Sequence, residues 1–284
     1  MTGIAILDSH HHLWDTAVVD YSLFQTIERL NRPFTAAEFE GEAAPLGIAQ
    51  SICVEAASAG ADGRLETEWL LAEANRSERI IALVAWAPLE QPDLVAHLDW
   101  LATLDRKPIV GVRRSFEFEP DDFPSTPAVV EGARVAGERG LAVDLVLFSR
   151  SLAATTVLVE SCPQTQFVLD HLGKPPIREG RFEPWAGQLR ELARLPNIVC
   201  KLSGLATEAD RTNWGIDDLR PYVEQAFDCF GSERMLFGTD WPVVELAGGA
   251  GRWLAAAREL LAELDKFAQA AVFGENARRI YGLS

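Results

Sequence analysis

Residues 4–15, IAILDSHHHLWD, decide the fold. The apolar run Ile4–Ser9 predicts a β-strand, and it leads directly into His10, His11 and His12. An open doubly wound sheet usually has a glycine-rich phosphate loop after its first strand. Three histidines at this point favour instead a closed barrel, whose active site lies at the C-terminal ends of the strands.

Runs of the same kind recur along the whole chain. Seven more strands are predicted at Ser51–Glu55, Ile80–Trp86, Ile109–Arg114, Leu141–Leu147, Gln166–His171, Asn197–Ser203 and Met235–Asp240. The segments between them have helical periodicity, at Arg64–Asn75, Leu94–Leu104, Pro127–Arg139, Ser151–Ser161, Pro184–Leu195, Pro221–Phe230 and Trp253–Leu264. Eight strands alternating with helices predict an α/β protein with a single (β/α)8 TIM barrel domain over residues 1–284.

Two segments interrupt this alternation. Residues 13–49 form a long connection after the first strand, and Phe116–Ser125 forms an acidic one after the fourth. Such loops lie on the active-site face of a barrel, so we expect them to be lids or substrate walls. We expect His97, on a predicted outer helix, to lie at the surface.

Composition excludes several classes of function. The net charge of −16 argues against binding to nucleic acid or to anionic membranes, which requires basic patches. No apolar stretch approaches the length of a membrane span, and the N-terminus does not resemble a signal peptide, so we expect a cytoplasmic protein with reduced cysteines. A homo-oligomer is compatible with this composition.

The end of the first strand suggests a metal or catalytic site. Side chains alternate along a strand, so if Ile6 faces the barrel interior, Asp8, His10 and His12 do so too, while His11 points away. Two imidazoles on one side are what two ligands of one metal require.

Charged residues also end other predicted strands. An inward-facing charge is costly unless it is paired or used. Arg113 or Arg114 is a candidate for substrate binding. Glu55 is a candidate for the site or for a salt bridge with Arg113, and Lys201 for substrate contact or for a buried ion pair.

Short motifs on five of the strands, and one near the C-terminus, resemble a known family. They are DSHHHLWD at 8–15, GVRR at 111–114, DHLGKP at 170–175, KLSGL at 201–205, LFGTDWP at 236–242 and FGENARRIYGL at 273–283. Their order and positions resemble the amidohydrolase superfamily, and within it the amidohydrolase 2 branch of sugar lactonases, of the L-fucono- and L-rhamnono-lactonase type. The resemblance spans nearly the whole chain.

The resemblance implies roles for four residues. His10 and His12 match the pair that binds a divalent metal or the substrate, His171 a metal-binding or carbonyl-polarising histidine, and Asp240 a metal ligand and proton carrier. The bridging lysine or glutamate and the extra histidine of two-metal members are missing from the fourth and fifth strands. The resemblance therefore implies one metal, with zinc as the first choice, or none.

Opening a lactone requires a nucleophilic water, a polarised carbonyl and a proton for the leaving alkoxide. We expect Asp240 to take the proton of a water whose pKa a metal lowers. Without a metal, the histidines with Arg113 or Lys201 would hold the oxyanion. Trp14 and Trp241 follow strands and are candidates for walls against a sugar ring, or for ordinary packing.

The sequence leaves three other hypotheses about function open. Related branches contain metal-free lactonases of aromatic-ring catabolism and nonoxidative decarboxylases of aromatic or unsaturated acids, and arginines in the pocket would favour such carboxylate substrates. The third is a non-catalytic ligand-binding barrel. An aspartate such as Asp240 among histidines argues against that reading, because a binding module does not need a proton carrier. The expected partner is therefore a small-molecule lactone.

Overall fold

The computed structural model describes residues 4–56, 63–104 and 107–283. Eight parallel strands form one sheet in which each strand pairs with the next along the chain, as in a (β/α)8 barrel. The strands are β1 Ile6–His11, β2 Ile48–Val54, β3 Ile80–Trp86, β4 Ile109–Ser115, β5 Ala142–Val146, β6 Phe167–Leu169, β7 Ile198–Leu202 and β8 Met235–Phe237. The prediction of a TIM barrel is confirmed.

The residues after β8 close the barrel onto β1. The backbone N–H of Asp240 donates to the carbonyl of His10 at 2.8 Å, and that of His12 donates to the carbonyl of Trp241 at 2.7 Å. The Asp8 carboxylate accepts the backbone N–H and the hydroxyl of Thr239. Because of this closure, His10, His12 and Asp240 lie side by side.

Helices separate the strands and cover the outside of the barrel. They are α1 Ser22–Gln25, α2 Ala36–Leu46, α3 Gly63–Ala74, α4 Leu94–Leu101, α5 Pro127–Glu138, α6 Leu152–Ser161, α7 Trp185–Leu192, α8 Leu205–Glu208, α9 Ile216–Phe230, α10 Ala250–Leu260, α11 Lys266–Ala270 and α12 Asn276–Ile280. No helix in the described ranges is long and apolar enough to cross a membrane. The four cysteines carry free thiols.

One expectation about the helical layer was wrong, and one helix was not predicted. The connection at 13–49 contains a full helix, α2, whose pattern is weak because it includes Gly41 and Pro45. His97 is buried on the inner side of α4, where its Nε2 lies 2.9 Å from the carbonyl oxygen of Trp86. Leu94, Leu98 and Leu101 are buried as their helical spacing predicts, and His97 lies on the same face of α4.

The alternation along β1 also differs from the expectation. Leu7, and not Ile6, joins the apolar cluster that alternate residues of the strands form inside the barrel. The pairing of β1 with β2 is irregular between Ile6 and Leu7 and again between Asp8 and His11. His10 and His12 still share one side, and their Nε2 atoms are 3.1 Å apart.

Candidate active site

The C-terminal ends of the strands surround a cleft of about 270 Å³. Its polar side chains are His12, Arg113, Glu117, His171, Lys174, Thr207, Glu208, Arg211 and Asp240. Its apolar lining comprises Phe24, Ile27, Leu30, Ala56, Val146, Phe148, Val243 and Leu246. Most of the apolar lining thus comes from the segments that follow β1 and β8, and the rest lies at the ends of β2 and β5.

Two histidines and one aspartate meet at the floor of the cleft. The Nε2 atoms of His10 and His12 are 3.1 Å apart. Asp240 Oδ1 lies 3.8 Å from His10 Nε2 and 3.4 Å from His12 Nε2. His12 Nδ1 is 3.0 Å from the carbonyl oxygen of Val54, which can only accept, so the free lone pair of His12 is on Nε2 and faces the cluster.

This cluster fits a divalent metal. Ligands bound at 2.0–2.1 Å in a tetrahedron are about 3.3 Å apart, and the three separations given above are near that value. His10, His12 and Asp240 are all buried, and they form the metal-competent group found in the described part of the chain. Three protein ligands and an open position are typical of catalytic zinc sites.

His171 lies beside this cluster and is not one of its three members. Its Nε2 is 3.8 Å from Asp240 Oδ1, and its Nδ1 is 2.8 Å from the hydroxyl oxygen of Ser203. Burial lowers the pKa of His171 from 6.5 to about 4, although Asp240 and Asp170 partly oppose this. The ring is therefore neutral near pH 7.

Asp240 remains ionised in this setting. Burial alone would raise its pKa, but the rings of His171, His12 and His10 together hold it well below its usual range. An ionised carboxylate beside imidazole nitrogens can bind a metal or accept a proton.

Two glycines make room for the rings, which the sequence reading did not anticipate. A Cβ on Gly204 would lie 2.5 Å from His171 Nδ1, and a Cβ on Gly238 would lie 2.6 Å from His10 Cβ. Both glycines belong to the motifs on β7 and β8, so their motif positions were the available signal.

The buried cations are paired with carboxylates. Arg113 borders the cleft, with its guanidinium donating to Glu55 Oε1 at 2.5 Å and to Asp170 Oδ2 at 3.0 Å. Lys201 is fully buried behind His10, and its ammonium contacts Asp144 and Asp170. Glu55 thus forms the salt bridge with Arg113, and Lys201 the buried ion pair, that the sequence offers as alternatives to substrate contact.

Arg114 points away from the cleft. Its guanidinium pairs with Glu90 and Glu119, and the side chain is only partly buried. Of the two neighbouring arginines, Arg113 alone lines the cleft.

The two tryptophans that are candidates for sugar walls or for ordinary packing lie behind the cleft lining. Trp14 is fully buried, stacks on Phe24 with ring centres 4.1 Å apart, and donates from Nε1 to the carbonyl of Leu30. Trp241 is buried with its ring edge-on to Phe34. The chain after β1 folds back over both indoles, so the aromatic side chains on the cleft surface are Phe24 and Phe148.

A second charged group on the cleft wall was missed. Lys174 contacts Glu117 Oε1, and its Nζ lies 3.7 Å from Glu208 Oε1. Burial would lower the pKa of Lys174, but these two carboxylates raise it, so the ammonium stays charged. Lys174 lies in the motif DHLGKP, whereas Glu117 and Glu208 lie outside every motif.

Comparison with known proteins identifies the family of the chain. The amidohydrolase family matches residues 7–283. An L-fucono-1,5-lactonase of Burkholderia ambifaria is 34% identical over 97% of this chain and 94% of its own length. A protein of the same name from Burkholderia multivorans is 35% identical over 99% and 97%.

A solved structure is also similar over its whole length. It is an amidohydrolase from Burkholderia multivorans with bound zinc, and it is 30% identical with a TM-score of 0.90. The superposition covers 99% of this chain and all of that one.

Proposed function

The chain is a member of the amidohydrolase family, and from this premise we propose that it hydrolyses a lactone derived from a neutral sugar. The observation that carries the proposal is the cluster of His10, His12 and Asp240 at the floor of a cleft whose buried cations are already paired. Two relatives of more than 30% identity are named as L-fucono-1,5-lactonases, which is the same class of reaction.

The cluster is suited to one divalent metal, and zinc is our choice because its ligands are imidazole and carboxylate and because a similar structure contains zinc. When bound, such a metal lowers the pKa of a water to about 7 and polarises the lactone carbonyl. His10, His12 and Asp240 would hold it.

The proton steps are assigned to this chain's own side chains. Asp240, ionised and facing the cleft, accepts the proton of the attacking water and returns it to the ring oxygen as the alkoxide leaves. If Ser203 donates its hydroxyl proton to Nδ1 of His171, the Nε2–H of His171 points towards Asp240 and the cleft. That N–H is placed to stabilise the developing oxyanion.

The charges of the cleft favour a neutral substrate. Arg113 is held by two carboxylates, and Lys174 lies between Glu117 and Glu208. A substrate carboxylate would meet Glu117, Glu208 and Asp240. The lining cation outside these ion pairs, Arg211, is exposed and donates from Nε to the carbonyl of Thr207. This argues against the decarboxylase reading and against lactones that carry carboxylates.

A pH-indicator assay tests the proposal. We expect acid release from aldono-lactones of neutral sugars, little from carboxylate-bearing lactones of aromatic pathways, and loss of turnover after treatment with a chelator. Full activity after chelation would reject the metal but keep the lactonase. Turnover limited to the carboxylate-bearing panel would reject the neutral sugar lactone.

A further inference from the structure

The side of His10 that faces away from the cleft has two competing partners. Its Nδ1 lies 3.1 Å from Lys201 Nζ and 3.3 Å from Asp170 Oδ1. We propose that Lys201 and Asp170 are positioning residues that select the tautomer of His10, Lys201 in the metal-free protein and Asp170 in the metal-bound one. This rests on the metal site of the proposed function.

The contact between Lys201 and His10 Nδ1 corresponds to one of the two tautomers of His10. An ammonium can only donate, so the contact of Lys201 with His10 Nδ1 is a hydrogen bond when that nitrogen has no proton. The proton of the neutral His10 ring is then on Nε2, which lies 3.1 Å from the lone pair of His12 Nε2. His12 in turn donates from Nδ1 to the carbonyl of Val54. Each donor in this series has an acceptor.

The same arrangement cannot bind a metal through His10. A metal requires the lone pair of Nε2, so the neutral ring of a ligating His10 must carry its single proton on Nδ1 instead. The ring stays neutral and no net proton is released from it. Nδ1–H then needs an acceptor, and Lys201 cannot be one.

Asp170 supplies that acceptor. Its Oδ1 is buried and makes no aligned hydrogen bond in the described part of the chain, although it lies 3.3 Å from His10 Nδ1. Its Oδ2 accepts from Arg113, which fixes the carboxylate in place. A carboxylate on the far nitrogen of a ligating histidine fixes the tautomer and strengthens the ligand.

The C-terminal end of the chain anchors Lys201. The hydroxyl of Tyr281, just after α12, donates to the Asp144 carboxylate, whose Oδ1 and Oδ2 lie 2.9 and 2.8 Å away. Asp144 Oδ2 accepts from Lys201. Asp144 and Asp170 therefore draw the ammonium away from His10 when Nδ1 carries the proton.

Histidine NMR of the wild-type protein tests the proposal without a mutation in the network. Long-range ¹H–¹⁵N spectra, with His10 assigned from a His10→Gln sample, should show the Nε2–H form before zinc is added and the Nδ1–H form afterwards. An Nδ1–H form already present in the metal-free protein would overturn the role of Lys201. This readout does not depend on lactone turnover, so failure of the proposed function would be recognised separately.

Zinc affinity, measured by chelator competition, tests Asp170 and Tyr281. Asp170→Asn should bind zinc about 10–100-fold more weakly, while the exposed Asp228→Asn should bind it like the wild type. Tyr281→Phe keeps the ring and should lose about 3-fold, because it acts only through Asp144 and Lys201. Tyr222→Phe, which loses a tyrosine hydroxyl far from this network, is its control.

These variants test the role of Asp170 and the anchoring of Lys201 separately. Unchanged zinc affinity in a folded Asp170→Asn would reject Asp170 as the partner of His10. Equal affinities in Tyr281→Phe and Tyr222→Phe would reject the anchoring role of Tyr281. If Asp170→Asn does not fold, Tyr281→Phe and the wild-type spectra still decide.

Discussion

His171 and Asp240 have backbone φ values of 54° and 59°, in the left-handed region that non-glycine residues rarely adopt. Such a conformation costs about 1–3 kcal/mol and persists where surrounding contacts impose it. Here the N–H of Asp240 is bound by the carbonyl of His10, and the His171 ring contacts Ser203. The turns aim both side chains into the cleft at the points where β6 and β8 end.

Among the single residues of the site, Asp240 is the most informative one to change. Asp240→Asn cannot accept the water proton, so we expect kcat to fall by about 10²–10⁴-fold with the fold intact. Steady-state kinetics and circular dichroism measure both effects, and Asp228→Asn on the outside of α9 is the control. Wild-type turnover in a folded Asp240→Asn would contradict the assigned role.

Glu66 should make stability depend on pH. Burial, and then the nearby charge of Glu55, raise the pKa of Glu66 from 4.5 to about 8, although its Oε1 accepts from Tyr21 and Ala56. The folded state then holds this proton more tightly than the unfolded chain, so stability falls as pH rises from about 4.5 to about 8. The slope is at most about 1.4 kcal/mol per pH unit.

Urea unfolding at several pH values measures this slope. Glu66→Gln cannot ionise and should flatten it, whereas the exposed Glu263→Gln should leave it unchanged. A slope that is the same in Glu66→Gln and the wild type would assign the pH dependence to another group.

Among the structural elements, the connection between β1 and β2 shapes the cleft most. It pairs Trp14 with Phe34 through two backbone hydrogen bonds and places Phe24, Ile27 and Leu30 on the cleft wall. The hydroxyl of Tyr21 donates to Glu66 on α3 and holds the connection against the barrel. The expectation of a substrate wall at 13–49 thus agrees with the part before α2, and α2 itself belongs to the outer layer.

Gly204, just before α8, tests whether close packing of the backbone is needed to position the His171 ring. Gly204→Ala would place a Cβ 2.5 Å from His171 Nδ1. We expect the displaced ring to lower kcat/KM by about 10²-fold. Gly140→Ala is the matched control, because Gly140 also has a positive φ, 75°, but has open space around its Cβ position. Equal activities of the two variants would show that the contact with His171 is unimportant.

For the whole molecule, metal binding should appear as a gain in stability. A ligand that binds only the native state at 100 times its Kd adds about 2.7 kcal/mol, which corresponds to a rise in Tm of roughly 5 °C for a chain of this size. Thermal unfolding with zinc or with a chelator measures the shift. His12→Gln should abolish it, whereas His97→Gln, a buried histidine outside the cluster, should retain it. A zinc shift that survives in His12→Gln would place the metal elsewhere.

The order of the strands and the convergence of His10, His12, His171 and Asp240 followed from the sequence alone. Parallel βα units bring all C-terminal strand ends to one face, and alternation puts neighbours such as His10 and His12 on one side. Neither inference depends on the exact register between neighbouring strands, so the irregular pairing of β1 with β2 does not affect them.

Which charges face substrate was decided only by the tertiary structure. Arg113 is 58 residues from Glu55 and 57 from Asp170, and Lys201 is 57 from Asp144. Whether such residues meet depends on the relative register of several strands, which local patterns do not encode. The sequence makes Arg113 and Lys201 candidates for substrate binding, whereas the structure pairs both with buried carboxylates. A buried charge inside a barrel is stable only beside a charge of the opposite sign.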